Sequence, residues 1–272
     1  MFIIFQKLVP QHLLSRFVGL LAKSHFGPLK NLFIRIFAWW YKVDMSLAEQ
    51  EDLTAYNSFN DFFTRKLKTG TRPVDDRPDR WVSPADGSLS QAAAINNGML
   101  IQAKGHEYSV DSLLGDHSKA ATYASGSFAT IYLSPSDYHR VHMPRAGKLI
   151  SHRYIPGKLF SVNQQTTNQI PGLFALNERW VCHFESEAGP FCVVMVGAMI
   201  VAAVQPAWET QCFQSRTPLF RTLDRPLTFN RGDELGCFQL GSTVILLSPE
   251  KINWQYDTGD QVKMGQALNQ GQ

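Results

Sequence analysis

The sequence predicts an α+β fold: a mostly antiparallel β core, sandwich or barrel-like, preceded by amphipathic helices. Three observations carry this prediction. Beyond residue 80, short apolar runs at Phe128–Leu133, Phe191–Val204 and Thr243–Leu247 are separated by Gly- and Pro-containing turns. That region shows no strand–helix alternation of the parallel α/β kind, and no GxGxxG or P-loop. Before residue 45 the apolar residues instead recur at three and four, the helical spacing.

Taken in order, Leu13, Leu14, Phe17, Val18, Leu20 and Leu21 form one helical face. After Gly27-Pro28 a second face follows, made by Leu29, Leu32, Phe33, Ile36, Phe37 and Trp40. Residues 1–43 contain Lys7, Arg16, Lys23, Lys30, Arg35 and Lys42 and no acid, whereas the remainder carries 20 Lys and Arg against 23 acids. A basic, apolar end on a slightly acidic body points to an anionic partner. Nucleic acid would be attracted by the charge alone; the apolar faces favour an anionic membrane surface. Pro10 and His12 interrupt the stretch and no small-residue cleavage site follows, which argues against a signal peptide. Residues 1–45 are therefore expected to be membrane-associating amphipathic helices.

Residues 46–80 form a charged connection with a short helix predicted over Phe59–Leu67, ending in the Pro- and Asp-rich stretch TRPVDDRPD. From residue 81 the β pattern begins. The apolar run Phe191–Val204 is 14 residues long; a membrane span needs about 20, so a buried strand is the expectation. A P-x-x-G-x-L frame occurs at residues 84–89 and again at 144–149, with a related turn at 258–266. Such hairpins resemble those of lipoyl-carrier folds and suggest repeated halves. Residues 46–272 are read as one catalytic domain. The four cysteines, at 182, 192, 212 and 237, match no zinc spacing and are expected to be reduced.

Chemistry concentrates in three places. His139 and His142 lie in the segment Ser134-Pro135-Ser136-Asp137-Tyr138-His139-Arg140-Val141-His142. A metal pair, two structural imidazoles and general acid–base work are all open; the last is favoured because histidine titrates near neutrality and no third metal ligand is apparent. Asp86 precedes Gly87, an ordinary turn position. It and His142 nevertheless flank equivalent turns of the repeated frame, so the fold could place a carboxylate behind an imidazole. Ser242 follows Gly241 and opens a Thr-Val-Ile-Leu-Leu strand. A base could take its proton, and the oxygen could then attack the unhindered Gly241 carbonyl.

Together these residues resemble the phosphatidylserine decarboxylase family of the prokaryotic type. The resemblance rests on Leu240-Gly241-Ser242-Thr243, on Pro84-Ala85-Asp86-Gly87 and on residues 132–144. It is extended by residues 62–67 with Arg72-Pro73, by 102–106, by 156–163 and by Asn177-Glu178-Arg179. The resemblance implies self-cleavage at Gly241–Ser242 by a triad of Asp86, His142 and Ser242. This would give a β chain ending at Gly241 and an α chain, 242–272, beginning with a covalent pyruvoyl group derived from Ser242. The pyruvoyl cofactor would form a Schiff base with phosphatidylserine and release CO₂ and phosphatidylethanolamine, with His139 as the acid or base of decarboxylation. Tyr132, Tyr138, Phe160, Ser161 and Asn163 are the candidate substrate-pocket residues, and no metal is expected.

The resemblance also implies a dimer of cleaved heterodimers, peripheral on the cytoplasmic side of the cell membrane, with no nucleic-acid partner. Two rival readings use the same residues: a Ser-His-Asp lipid hydrolase with an intact chain, and a non-enzymatic membrane-associated β module.

Overall fold

The computed structural model describes residue 6 and residues 11–198, 204–209, 212, 217–239 and 242–271. Two helices open the described chain, α1 (Gln11–Ala22) and α2 (Gly27–Trp40). Gly27-Pro28 begins the second helix rather than merely breaking the first. Proline's missing N–H costs nothing in a first turn, where that donor would be unpaired anyway. Helix α3 (Phe59–Phe63) is capped by Ser58, whose hydroxyl accepts from the Asp61 N–H. It is shorter than the sequence predicts because the next residues have other partners. Lys68 N–H donates to Leu47 O, and Leu67 bridges to Ala48.

The strands are β1 (Gly87–Ala94), β2 (Met99–Ala103), β3 (His106–Ser109), β4 (Ser127–Leu133), β5 (Arg140–His142), β6 (Gly147–Ile155), β7 (Arg179–Ser186), β8 (Gly189–Gly197), β9 (Val204–Pro206), β10 (Leu219–Phe229), β11 (Glu234–Phe238), β12 (Ser242–Ser248) and β13 (Gln261–Val262). Eight of them form an open antiparallel sheet ordered β10-β6-β7-β8-β12-β4-β1-β13, and β5-β11-β9 form a smaller sheet. The large sheet is not closed into a barrel. Strand β10 is one of its edges and holds Pro226; its register with β6 breaks between Thr222 and Leu227, so the proline removes no ladder bond from the interior.

Strand β12 lies in the middle and is buried on both faces, which explains its unbroken apolar run. Val244 and Leu246 face the small sheet and pack with Val141, Leu235 and Phe238. Ile245 and Leu247 face Leu113, Tyr123, Leu173 and Phe174 of the short helices on the other side. The large sheet is thus the middle of three layers. Each fully buried aliphatic side chain of β12 contributes roughly 1.5–3 kcal/mol.

The repeated frames meet as the sequence suggests. Ser83 N–H donates to Gln266 O at 2.8 Å, Val82 N–H to Pro144 O at 3.0 Å, and His142 N–H to Pro84 O at 2.7 Å. The segment holding Asp86 is therefore clasped between the segment holding His142 and the C-terminal turn. All four cysteines are free, and Cys182, Cys192 and Cys237 are buried. The strand expected over Phe191–Val204 is met only in part: β8 ends at Gly197, residues 199–203 lie outside the described residues, and Val204 opens β9 of the small sheet.

Candidate active site

Two chain segments build the site by running antiparallel to each other twice. In the large sheet β4 pairs with β12, with Leu133 opposite Ser242. In the small sheet β5 pairs with β11, with His142 opposite Glu234 and Arg140 opposite Cys237. The connection 134–139, the end of β11 at Phe238 and the start of β12 at Ser242 therefore lie at the same end of the two sheets. Phe238 N–H closes the join by donating to His139 O at 3.0 Å. This is how the fold sets His139 beside the chain that leads into Ser242.

Ser242 is fully buried between Leu133 and Gly197, and its Oγ has no hydrogen-bond partner among the described residues. Leaving a buried hydroxyl unpaired costs about 1–3 kcal/mol, so such a group calls for an explanation. Leu240 and Gly241 lie outside the described residues, and with them the geometry of the expected scissile bond.

His139 is fully buried. Its Nδ1 lies 2.8 Å from Asp137 O. A carbonyl can only accept, so Nδ1 carries the proton and Nε2 of the neutral ring holds a lone pair. That Nε2 has no hydrogen-bond partner among the described residues. Burial lowers the His139 pKa to about 3. The loop is held by Ser134, whose N–H and Oγ both donate to Asp137 Oδ2, and by Arg65, which donates to Ser136 O at 2.9 Å. The Phe63 ring closes over the imidazole, with centroids 4.0 Å apart.

His142 is also buried and neutral-favouring, its pKa lowered first by desolvation. Its Nδ1 donates to Gly232 O at 2.8 Å, and its Nε2 accepts from the Tyr138 hydroxyl at 2.9 Å. The orienting role expected of Asp86 is filled here by the Gly232 carbonyl. Gly232 is at φ +84°, and a Cβ there would meet Val74 Cγ2 at 2.7 Å. The Asp86 carboxylate instead pairs with Arg72, Oδ1 to Nε at 2.8 Å and Oδ2 to Nη2 at 2.5 Å, and accepts from Met264 N–H at 2.9 Å. The structure thus brings the backbones of Asp86 and His142 together but joins neither side chain to the other or to Ser242.

Two predictions arise here. Both apply to the uncleaved Ser242→Ala chain, which unfolds as one species. Arg72→Met removes the nearer of two cations on the buried Asp86 carboxylate, leaving Lys263 Nζ at 3.9 Å, and should lower the unfolding free energy by about 3 kcal/mol. The double variant Arg72→Met, Asp86→Leu should recover most of that loss, as read by urea denaturation.

The second concerns acid. His139, at about 3, and His152 and His183, each at about 4, titrate well below the ordinary 6.5. The unfolded chain therefore binds more protons below pH 6.5. Stability is fully present above pH 6.5 and should decline as pH falls from there towards 3 to 4. A melting temperature that stays flat over this window would contradict the burial of these rings.

The candidate pocket residues divide into two groups. Tyr138 serves His142. Tyr132 lies opposite Thr243, on the other face of the sheet from Ser242, where it packs with the cluster containing Phe160. Ser161 N–H donates to Gln6 Oε1, and Asn163 Oδ1 caps the helix at 164–167 by accepting from Thr166 N–H. Sequence reasoning missed the residue that ties this loop to the site. Asn177 accepts from Phe160 N–H at 3.0 Å and donates to both Phe160 O and Gly197 O, at 2.8 and 2.9 Å. It also missed Arg65, Arg72 and Gly232. All four lie in or beside segments already singled out except Gly232, whose only sequence signal is an Asn-Arg-Gly-Asp turn.

Comparison with known proteins agrees with the geometry. A family model described as phosphatidylserine decarboxylase matches residues 59–270, and one described as PSD matches residues 1–42. The phosphatidylserine decarboxylase proenzyme of Ectopseudomonas mendocina (strain ymp) is 50% identical over 281 residues, covering 100% of this chain and 98% of that protein. The proenzyme of the same name from Pseudomonas fluorescens (strain Pf0-1) is 50% identical over 279 residues, covering 99% and 98%. With the family model spanning most of the chain and relatives matching it almost end to end, the chain belongs to the phosphatidylserine decarboxylase family.

Proposed function

We propose that this chain is a self-processing phosphatidylserine decarboxylase that converts phosphatidylserine to phosphatidylethanolamine and CO₂. The observation that carries this reading is the pair of buried groups at one sheet end, Ser242 Oγ and His139 Nε2, that have no hydrogen-bond partner among the described residues. A folded protein tolerates such orphans where chemistry uses them. The relatives' shared name, proenzyme, supports processing of the chain.

Ser242 suits a pyruvoyl precursor. Its hydroxyl has no competing partner among the described residues and opens the central strand, so the segment 242–271 would stay woven into the sheet after cleavage at Gly241–Ser242. A pyruvoyl group at this position supplies an electron sink for the departing carboxylate. The protein's own part is to exclude water, to hold His139 with Nε2 bare, and to let that nitrogen take or return a proton. His142 serves maturation: exchanging its Tyr138 hydrogen bond for Ser242 would make Nε2 the base for the serine hydroxyl. The test is the mass of purified, active protein. The reading expects a fragment beginning at residue 242 with a blocked N-terminus; only an intact 30.7 kDa chain would overturn it.

The N-terminal helices would keep this site at a membrane surface as a peripheral, cytoplasmic-side association. No helix among the described residues is long and apolar enough to cross a bilayer. Helix α2 instead buries Ile34 and Ala38 inward and leaves Leu32, Ile36, Trp39 and Trp40 outward, with the two tryptophans 76% and 68% exposed. Contiguous exposed aromatics beside Lys23, Arg35 and Lys42 match an interfacial helix. Replacing Leu32, Trp39 and Trp40 by Ser should weaken binding to anionic vesicles at least about tenfold, read by vesicle flotation. Unchanged binding would place the contact elsewhere.

A further inference from the structure

A row of residues crosses the large sheet on the face turned towards the small one. Leu133, Ser242 and Gly197 are paired across β4, β12 and β8. The ladder reaches one strand further: Gly197 N–H donates to Glu178 O at 2.8 Å, just beyond the Arg179–Val196 pair. Directly opposed residues of an antiparallel ladder project to the same face. The packing agrees, because Ile131, Val244, Met195 and Trp180, two residues along each strand, share one core cluster. Ser242 and Glu178 therefore face the same way, with only Gly197 between them. Strand spacing puts their Cα atoms about 10 Å apart. Gly197 has no side chain, so the strip between the two residues is floored by backbone alone.

Glu178 is buried and shares a hydrogen bond with Tyr154. Burial raises its pKa to about 7. Its neighbour Arg179 gives no help, since that guanidinium points to the opposite face and donates to the carbonyls of Ser112, Leu113, Ala175 and Asn177. A buried carboxyl kept on the same face as the reacting residue is an expensive arrangement unless a cation arrives there. Asn177 and the backbone of Gly157 fix it in place: a Cβ at Gly157 would lie 2.6 Å from Glu178 N.

We propose that Glu178 is the receptor for the substrate's primary ammonium, holding the amino-acid headgroup over Gly197 beside residue 242. This rests on the decarboxylase reading. The carboxylate would select a headgroup bearing N–H donors over one bearing only hydroxyls, and it would hold substrate and product alike, since both keep the amine.

The test compares the self-processed protein with its Glu178→Gln variant. Equilibrium binding of short-chain phosphatidylethanolamine and phosphatidylglycerol is measured by calorimetry, alongside KM and kcat for phosphatidylserine and the mass of the fragments. The parent protein should prefer the ethanolamine lipid at least about tenfold, as loss of a charge-assisted hydrogen bond implies. Glu178→Gln should still cleave, lose that preference, and raise KM by a similar factor with a smaller effect on kcat. A variant that keeps the preference overturns the proposal. Glu178→Asp, which retains the charge one methylene further back, should mature and keep part of the preference. If neither variant matures, Glu178 belongs to folding or processing and the proposal fails. A parent protein with no residue-242 fragment, or no turnover of phosphatidylserine, fails the decarboxylase reading instead, before any variant is compared.

Discussion

Ser242→Ala should leave a single chain of 30.7 kDa and abolish decarboxylation. The hydroxyl is the only group the substitution removes, and it has no hydrogen bond to a described residue to lose, so the fold should be unaffected or slightly stabilised. The expected effect is all-or-none because the proposed mechanism needs this oxygen first as the nucleophile against Gly241 and then as the group that leaves with the Gly241 carboxylate in the elimination. Without it neither the cleavage nor the carbonyl on which the substrate reacts, whose oxygen water supplies, can form. Activity in an uncleaved Ser242→Ala protein would refute both roles. The measurement needs only intact mass and release of CO₂ from labelled phosphatidylserine.

His139→Ala should separate the two halves of the chemistry. The fragments should still form, and decarboxylation should fall about 10²–10⁴-fold, the range that general acid–base catalysis supplies. Cleavage acts as the internal control for folding, which matters because the ring is fully buried against Phe63. The tautomer fixed by Asp137 O leaves Nε2 as a base in the precursor, so the proton it returns to carbon must first be acquired there. If His139→Ala fails to mature, the division of labour with His142 is wrong.

Much of this site was legible in the sequence because its parts are local. The Thr-Val-Ile-Leu-Leu run after Ser242 reads as a central strand, and both histidines sit in one short segment. The repeated P-x-x-G-x-L frame also foretold that the Asp86 and His142 segments meet, as the Pro84–His142 backbone bond now shows. Side-chain partners were not legible. Asp86 faces Arg72, 14 residues before it, rather than His142, and Gly232, in a turn brought in from 90 residues away, rather than Asp86 holds the imidazole. Glu178 is a similar case. Its face is set by strand parity, and its nearness to Ser242 by a register across three strands, which no spacing along the chain reveals. Helix α3 was overextended because the Phe59–Leu67 pattern is helical, whereas Arg65 and Leu67 are claimed by tertiary partners.

The aromatic contacts above His139 bear on how this protein can be handled. Phe37 of α2 packs on Phe59, Phe62 and Phe63, and Phe63 in turn covers the imidazole. Trimming residues 1–43 to obtain a soluble enzyme would remove Phe37 and open that lid. Water would then reach His139, and the imidazole would drift back towards ordinary basicity. The shortened protein would be a differently tuned catalyst rather than the same one set free. Changes to the outward tryptophans, which leave Phe37 in place, are the substitutions that test attachment alone.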